Sequence, residues 1–143
     1  MKDIMLKITG KTVSVLPKPD DKEKDNTIEF VTSGKYASRG GITRISYDET
    51  ELSGMEGVKT QITISGEKLK MQRISPNAQD TIMEFEKGKR YEGLYATPYG
   101  NIGMEILTND IEFKGDDKIK IDYSLSLKGL IESRNELDIE VIQ

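Results

Sequence analysis

The segment KIKIDYSLSLKG, residues 118–129, alternates polar and apolar side chains almost without a break. A period of two residues is typical of a β-strand that buries one face and leaves the other in water. The segment ELDIEVIQ, residues 136–143, repeats the pattern after the link GLIESRN, which fits a hairpin connection. The inward set on the two predicted strands is Ile119, Ile121, Tyr123, Leu125, Leu127, Leu137, Ile139 and Val141. The pair therefore predicts two half-buried strands.

The same rhythm continues through the rest of the chain. It recurs in TIEFVTSGKY, ITRISYDETEL, VKTQITIS, KLKMQRI, TIMEFEKGKR, RYEGLY and NIGMEILT, and no long stretch carries a helical stripe. We therefore predict an all-β fold of about ten strands joined by short hairpin turns. A single antiparallel up-and-down barrel over residues 1–143 suits this pattern, because closure leaves no unpaired strand edge. A two-sheet sandwich is the competing arrangement.

Two glycines mark expected local features of the backbone. Gly10 lies between the apolar alternation of residues 4–8 and that of residues 13–15, which have opposite parity, so we predict a β-bulge there. The segment TPYG, residues 97–100, fits a turn in which Gly100 supplies a positive φ. Such a corner explains the segment without any ligand.

Composition excludes several classes of function. The chain has 143 residues, a net charge of -4, no cysteine and no histidine. An acidic protein is poorly suited to nucleic acid, and the missing residues remove thiolate chemistry, the usual proton shuttle and the commonest metal ligands. The acidic runs DDKEKDN, DETE and KGDDK lack the spacing of a calcium loop. We predict no metal, no cofactor and no assigned catalytic residue.

The amino-terminal segment MKDIMLKITGK carries charges every few residues and has no continuous apolar region. No segment approaches the roughly 20 apolar residues that cross a bilayer. We therefore expect a cytoplasmic protein that does not associate with membranes.

Arg73 is the residue with the clearest chemical interest. It shares the inward parity of Leu69 and Met71, where an unpaired guanidinium would be costly. Glu49, on the parity of Ile45, is one candidate partner, and a bound anion or carboxylate ligand is the other. An internal ion pair and a ligand anchor are both open at this point.

Tyrosines are the second group of candidate binding residues. The inward parities include Tyr47, Tyr91, Tyr95 and Tyr123. Phenols on apolar walls are typical of small-molecule sites, and they also fill barrel interiors. Both interpretations stay open.

The segments IEFVTSGKY, ISYDETELSGMEGVKTQITI, MEFEKGKRYEGLYATPYGNIGMEILT and IKIDYSLSL together resemble the YwiB-like family of uncharacterised bacterial proteins. The resemblance runs from about residue 27 to residue 141 and is most specific at YDETEL and YATPYG. It implies a small lipocalin-like or calycin-like barrel in the bacterial cytoplasm. The family has no established activity, so the resemblance transfers no catalytic residue.

Three hypotheses about function follow. The first is a non-enzymatic barrel that binds a small amphipathic or anionic ligand inside, with Arg73, Glu49 and the four inward tyrosines as site residues. The second is an interaction module with a filled barrel. It includes a homodimer formed through outward apolar residues such as Ile74, Leu94 and Leu107. The third is a hydrolase that uses Glu49 and Glu51 as paired carboxylates.

Overall fold

The computed structural model describes residues 2–16, 26–49, 57–76, 79–97, 99–115 and 117–142. These residues form ten β-strands, and the described part of the chain contains no helix, so no helix in it could cross a membrane. The strands are β1 (Lys2–Leu16), β2 (Asn26–Arg39), β3 (Ile42–Asp48), β4 (Lys59–Ser65), β5 (Lys68–Ile74), β6 (Thr81–Phe85), β7 (Arg90–Thr97), β8 (Gly100–Lys114), β9 (Lys118–Leu127) and β10 (Ile131–Ile142).

All ten strands belong to one antiparallel sheet whose order is β6-β5-β4-β3-β2-β1-β10-β9-β8-β7. Each strand pairs with its neighbour in sequence, except that β6 and β7 are separated and β1 pairs with β10 instead. The register of β1 against β10 runs from Met5 opposite Ile142 to Ser14 opposite Ser133. The predicted up-and-down barrel is therefore confirmed, and the first and last strands are hydrogen-bonded neighbours in the middle of the sheet order.

The seam of the barrel lies between β6 and β7, because these strands form the two ends of the sheet order. The turn between them bonds to β8: the Gly88 N–H donates to the Thr108 carbonyl at 2.9 Å, and the Thr108 N–H donates to the Lys89 carbonyl at 3.2 Å. The Glu86 N–H also donates to the Thr108 hydroxyl at 3.2 Å. These bonds bring β6 against β8 and nearly close the barrel.

Inward apolar residues fill the middle of the barrel. The inward residues of β9 pack into the core as predicted: Ile119 and Ile121 are buried, and Tyr123, Leu125 and Leu127 are partly buried. The Phe85 and Tyr123 rings meet edge to face, with centroids 4.9 Å apart. The largest fully buried apolar side chains are Phe85, Leu6, Ile62, Leu69, Met71, Ile106, Ile121 and Ile139. The centre of the barrel is therefore a solid core, and open space lies towards its ends.

The predicted bulge at Gly10 is wrong. Gly10 pairs in regular register with Ile28 on one side and Leu137 on the other. Because the parity of β1 does not change there, Val15 lies on the outer face and is 54% exposed. The register of β1 shifts instead further on, between Ser14 and Leu16.

A second irregularity, which the alternation did not predict, lies in β8. The register against β9 shifts between Thr108 and Asp110. Before the shift, Ile106 and Thr108 are buried; after it, the odd-numbered Ile111 and Phe113 pack against the core. One extra residue thus changes which side chains face inward.

The corner at residues 97–100 has the expected backbone at its last position. Thr97 and Gly100 are paired at the end of the β7–β8 hairpin, and Gly100 has φ of 119°. Tyr99 projects into solvent at the tip of the turn. Pro98 lies outside the described residues, as do the charged loop at residues 17–25 and most of DETEL.

Candidate ligand-binding site

A cavity opens at one end of the barrel, where β2 separates from β3. The two strands pair only from Gly34 opposite Tyr47 to Arg39 opposite Ile42, so the first half of β2 leaves a gap. The cavity has a volume of about 190 Å³, which corresponds to roughly six molecules of liquid water. Its walls are Ile8, Gly10, Lys11, Thr12, Ile28, Phe30, Tyr47, Glu49, Arg73, Tyr123, Asn135, Glu136 and Leu137.

One wall of the cavity is a row of polar side chains across three strands. Tyr47 of β3 pairs with Thr60 of β4, and Thr60 pairs with Arg73 of β5, so successive members are about 5 Å apart. Glu49 follows Tyr47 on the same inward face, and its N–H donates to the Val58 carbonyl at 2.8 Å. The Thr60 hydroxyl donates to Glu49 Oε1 at 2.6 Å. The alternation of the strands thus places a carboxylate and a guanidinium in one cavity.

The phenol of Tyr47 lies within electrostatic reach of both charges. Burial raises the pKa of Tyr47 far above its usual range, and the charge of Glu49 raises it further, while Arg73 acts in the opposite direction. A hydrogen bond to Glu49 favours the protonated phenol as well. Tyr47 is therefore a neutral hydrogen-bond donor at physiological pH.

Arg73 is incompletely paired. Its Nε is buried and has no hydrogen-bond partner among the described residues. Within the described residues, Glu49 and Arg73 form no ion pair, although both line the same cavity. Burial also raises the pKa of Tyr123, and the charge of Arg73 lowers it, so this second phenol also lies near the guanidinium.

The opposite wall carries a polar pair that the sequence pattern did not single out. The Thr12 hydroxyl donates to Asn135 Oδ1 at 2.9 Å, and Asn135 Nδ2 donates to the Ser133 hydroxyl at 3.1 Å. Asn135 falls in the predicted GLIESRN link, whereas β10 already begins at Ile131. Its inward parity with Leu137 was the available signal, and so was that of Thr60 with Ile62.

The structure separates the predicted site residues into two groups. Tyr47, Glu49, Arg73 and Tyr123 line the cavity. Tyr91 and Tyr95 also face inward and pack against the core, but they lie on β7 at the seam and are not among the cavity walls. Burial and the charge of Glu84 on β6 raise the pKa of Tyr91. Glu51, the second carboxylate of the hydrolase hypothesis, lies outside the described residues.

Alkaline titration should report the buried phenols. Because folding raises the pKa of Tyr47, Tyr91 and Tyr123, their contribution to stability is complete below about pH 10, the usual tyrosine value. It should be lost as the pH rises above 10. In an alkaline titration followed at 295 nm, we expect some tyrosines of the folded protein to ionise at a higher pH than the others. Unfolding in 8 M urea should remove this difference. Tyr47→Phe should remove part of that late group, and an unchanged curve would contradict the enclosed position of this phenol.

Other surface features offer less to a ligand. A wider concavity of about 600 Å³ beside β1–β4 is lined by charged, polar and apolar residues together. There Lys35 already pairs with Asp3 and lowers the pKa of that carboxyl through a hydrogen bond and its charge. No group of three metal-binding side chains occurs within the described residues. Leu94 is exposed on the outer face, and Ile74 and Leu107 are half-buried; the homodimer stays a prediction.

Two comparisons with known proteins give matches that cover most of the chain. Residues 11–139 match a family described as "Domain of unknown function (DUF1934)". The crystal structure of ywiB protein from Bacillus subtilis is similar, with a TM-score of 0.67 and 20% sequence identity over 99% of this chain and 94% of that one. At this identity the likeness supports the fold alone. Comparison with curated proteins gives no match. The resemblance seen in the sequence is confirmed.

Proposed function

The chain belongs to DUF1934, a family of unknown function. We propose that it is a non-enzymatic barrel that binds a small amphipathic molecule. The ligand lies in the cavity between β1, β2, β3, β5, β9 and β10. Its anionic end contacts Arg73, and its apolar body lies against Ile8, Ile28 and Phe30.

The observation that carries this proposal is the buried Nε of Arg73, for which no described residue supplies an acceptor. A buried N–H without an acceptor costs about 1–3 kcal/mol, so a folded chain rarely leaves one without reason. A carboxylate can accept from Nε and a terminal nitrogen of the guanidinium at once, in two parallel hydrogen bonds. A ligand with such a group would satisfy the donor that the described part of the chain leaves open.

The remaining walls suit the rest of such a ligand. The phenol of Tyr123 stays neutral and can donate a hydrogen bond, while its ring forms apolar surface. A mostly apolar cavity with a few convergent polar groups is typical of small-molecule sites. The filled-barrel alternative is less well supported, because the core is solid only in its middle and the Arg73 end retains open volume.

Thermal-shift assays with short carboxylates such as pentanoate and benzoate test the proposal. We expect the melting temperature of the wild type to rise, with a stabilisation of about 2.7 kcal/mol when the ligand exceeds its Kd a hundredfold. Arg73→Met should abolish this shift. It should change the stability of the unliganded protein by about 1 kcal/mol or less, because the substitution removes an unpaired buried donor.

Arg134→Met is the matched control. Arg134 lies on the outer face, where its Nη2 is 3.2 Å from Asp122 Oδ2, so its loss should leave the carboxylate-induced shift unchanged. A loss of several kcal/mol in unliganded Arg73→Met would indicate a structural ion pair and contradict the proposal. An equal ligand-induced shift in wild type and Arg73→Met would do the same.

A further inference from the structure

The described residues that line the cavity carry no net formal charge. Arg73 is balanced by Glu49, which is 6% exposed. Lys11 of β1 lies directly opposite Glu136 of β10 in the strand register, and both exposed residues border the cavity. The described lining residues thus contain two positive and two negative side chains, and the phenols among them stay neutral.

This balance disfavours a simple anion. A carboxylate at Arg73 would be attracted by the guanidinium and repelled by Glu49 in the same small cavity, where water screens charges poorly. The two effects oppose each other. A ligand that carries a positive group towards Glu49 avoids the repulsion and gains a second attraction.

Glu49 retains capacity for such a group. Its carboxylate accepts a hydrogen bond from Thr60 and interacts with the Tyr47 phenol. An ionised carboxylate has about four acceptor positions, so the contacts with described residues leave about two of them for a ligand. Because Glu49 and Arg73 do not pair with each other within the described residues, the two charges are available to separate ends of one molecule.

We propose, on the basis of the binding function above, that the ligand is a small zwitterion of the amino-acid type. Its carboxylate contacts Arg73 and its ammonium group contacts Glu49. The cavity volume of about 190 Å³, equal to roughly six water molecules, limits the ligand to a small molecule with a short carbon chain. The apolar walls at Ile28 and Phe30 contact its carbon chain.

Isothermal titration calorimetry with four probes of one chain length tests this assignment. The probes are pentanoate, pentylamine, 2-aminopentanoate and 5-aminopentanoate. For the wild type we expect the tighter of the two amino acids to bind at least about tenfold more strongly than pentanoate. Glu49→Gln should weaken binding of that amino acid and strengthen binding of pentanoate, so that the preference disappears. Glu112→Gln, on the outer face of β8, should leave it intact.

The possible results separate the two proposals. If pentanoate binds the wild type as tightly as both amino acids, the zwitterion assignment is wrong and the anion-binding function stands. If the folded wild type binds neither pentanoate nor an amino acid, or binds pentylamine most tightly, the function itself is wrong. The circular dichroism melting curve of Glu49→Gln shows whether this variant folds. If it does not fold, the ratio of the wild-type affinities for the amino acid and for pentanoate still tests the assignment.

Discussion

Gly34→Ala should lower the free energy of unfolding by about 3 kcal/mol. Gly34 lies in β2, between Ile4 of β1 and Tyr47 of β3. A Cβ atom at this position would lie 2.6 Å from the Ser46 carbonyl oxygen and 2.8 Å from Leu6 Cδ1. Since one of these neighbours is backbone and the other is fully buried, neither can move cheaply. The strain should therefore fall on the β2–β3 pairing that ends beside the ligand cavity.

Gly10→Ala is the matched control for this substitution. Gly10 is also a strand glycine, but a Cβ there meets no atom within 4 Å. Its replacement should be neutral or stabilise the protein by up to about 1 kcal/mol, because alanine restricts the unfolded chain. Urea unfolding measures both variants. Equal midpoints for Gly34→Ala and Gly10→Ala would contradict the close approach of β2 to β3.

Phe85→Ala should cost about 3–5 kcal/mol, as is usual for a large aromatic side chain removed from a core. Phe85 is fully buried, pairs with Leu69 of β5 and meets the Tyr123 ring edge to face. It is also the last residue of β6, the five-residue strand at the seam. Its loss should weaken both the core and the attachment of β6 to the barrel.

Leu130→Ala provides the comparison, because Leu130 is 72% exposed in the β9–β10 turn and its truncation should change stability by less than about 0.5 kcal/mol. Thermal melting followed by near-ultraviolet circular dichroism measures both effects. If the Phe85→Ala and Leu130→Ala variants had the same melting temperature, the packing of Phe85 against the core would not be what holds β6 in the barrel.

Most of the fold could be predicted because burial on one face imposes a period of two on the sequence. That period identifies which residues of β9 face inward, and short turns between strands favour sequential antiparallel pairing. The position of the seam could not be predicted in this way, since alternation is the same in an edge strand and a central one. Gly10 was misread because Val13 and Val15 resemble core residues, yet they lie on the outer face near the end of β1.

For the candidate site, the sequence predicts which side chains face inward but not which of them lie close together. Parity places Arg73, Glu49 and Tyr123 inside, but it says nothing about height along the barrel axis, which depends on the stagger of the strands. For that reason Tyr95 shares the inward direction of Tyr47 and yet lies away from the cavity walls. Hydrogen bonds between strands far apart in sequence, such as that from Thr12 to Asn135, depend on the register and need the folded structure.

Nuclear magnetic resonance of the arginine side chains tests the central claim most directly. In ¹⁵N-labelled protein, the Nε–H signal of Arg73 can be assigned by its absence from Arg73→Met. We predict that this signal shifts and exchanges more slowly with water when pentanoate or 5-aminopentanoate is added, while that of Arg134 does not change. An Arg73 signal that stays unperturbed at saturating concentrations of both compounds would contradict the account.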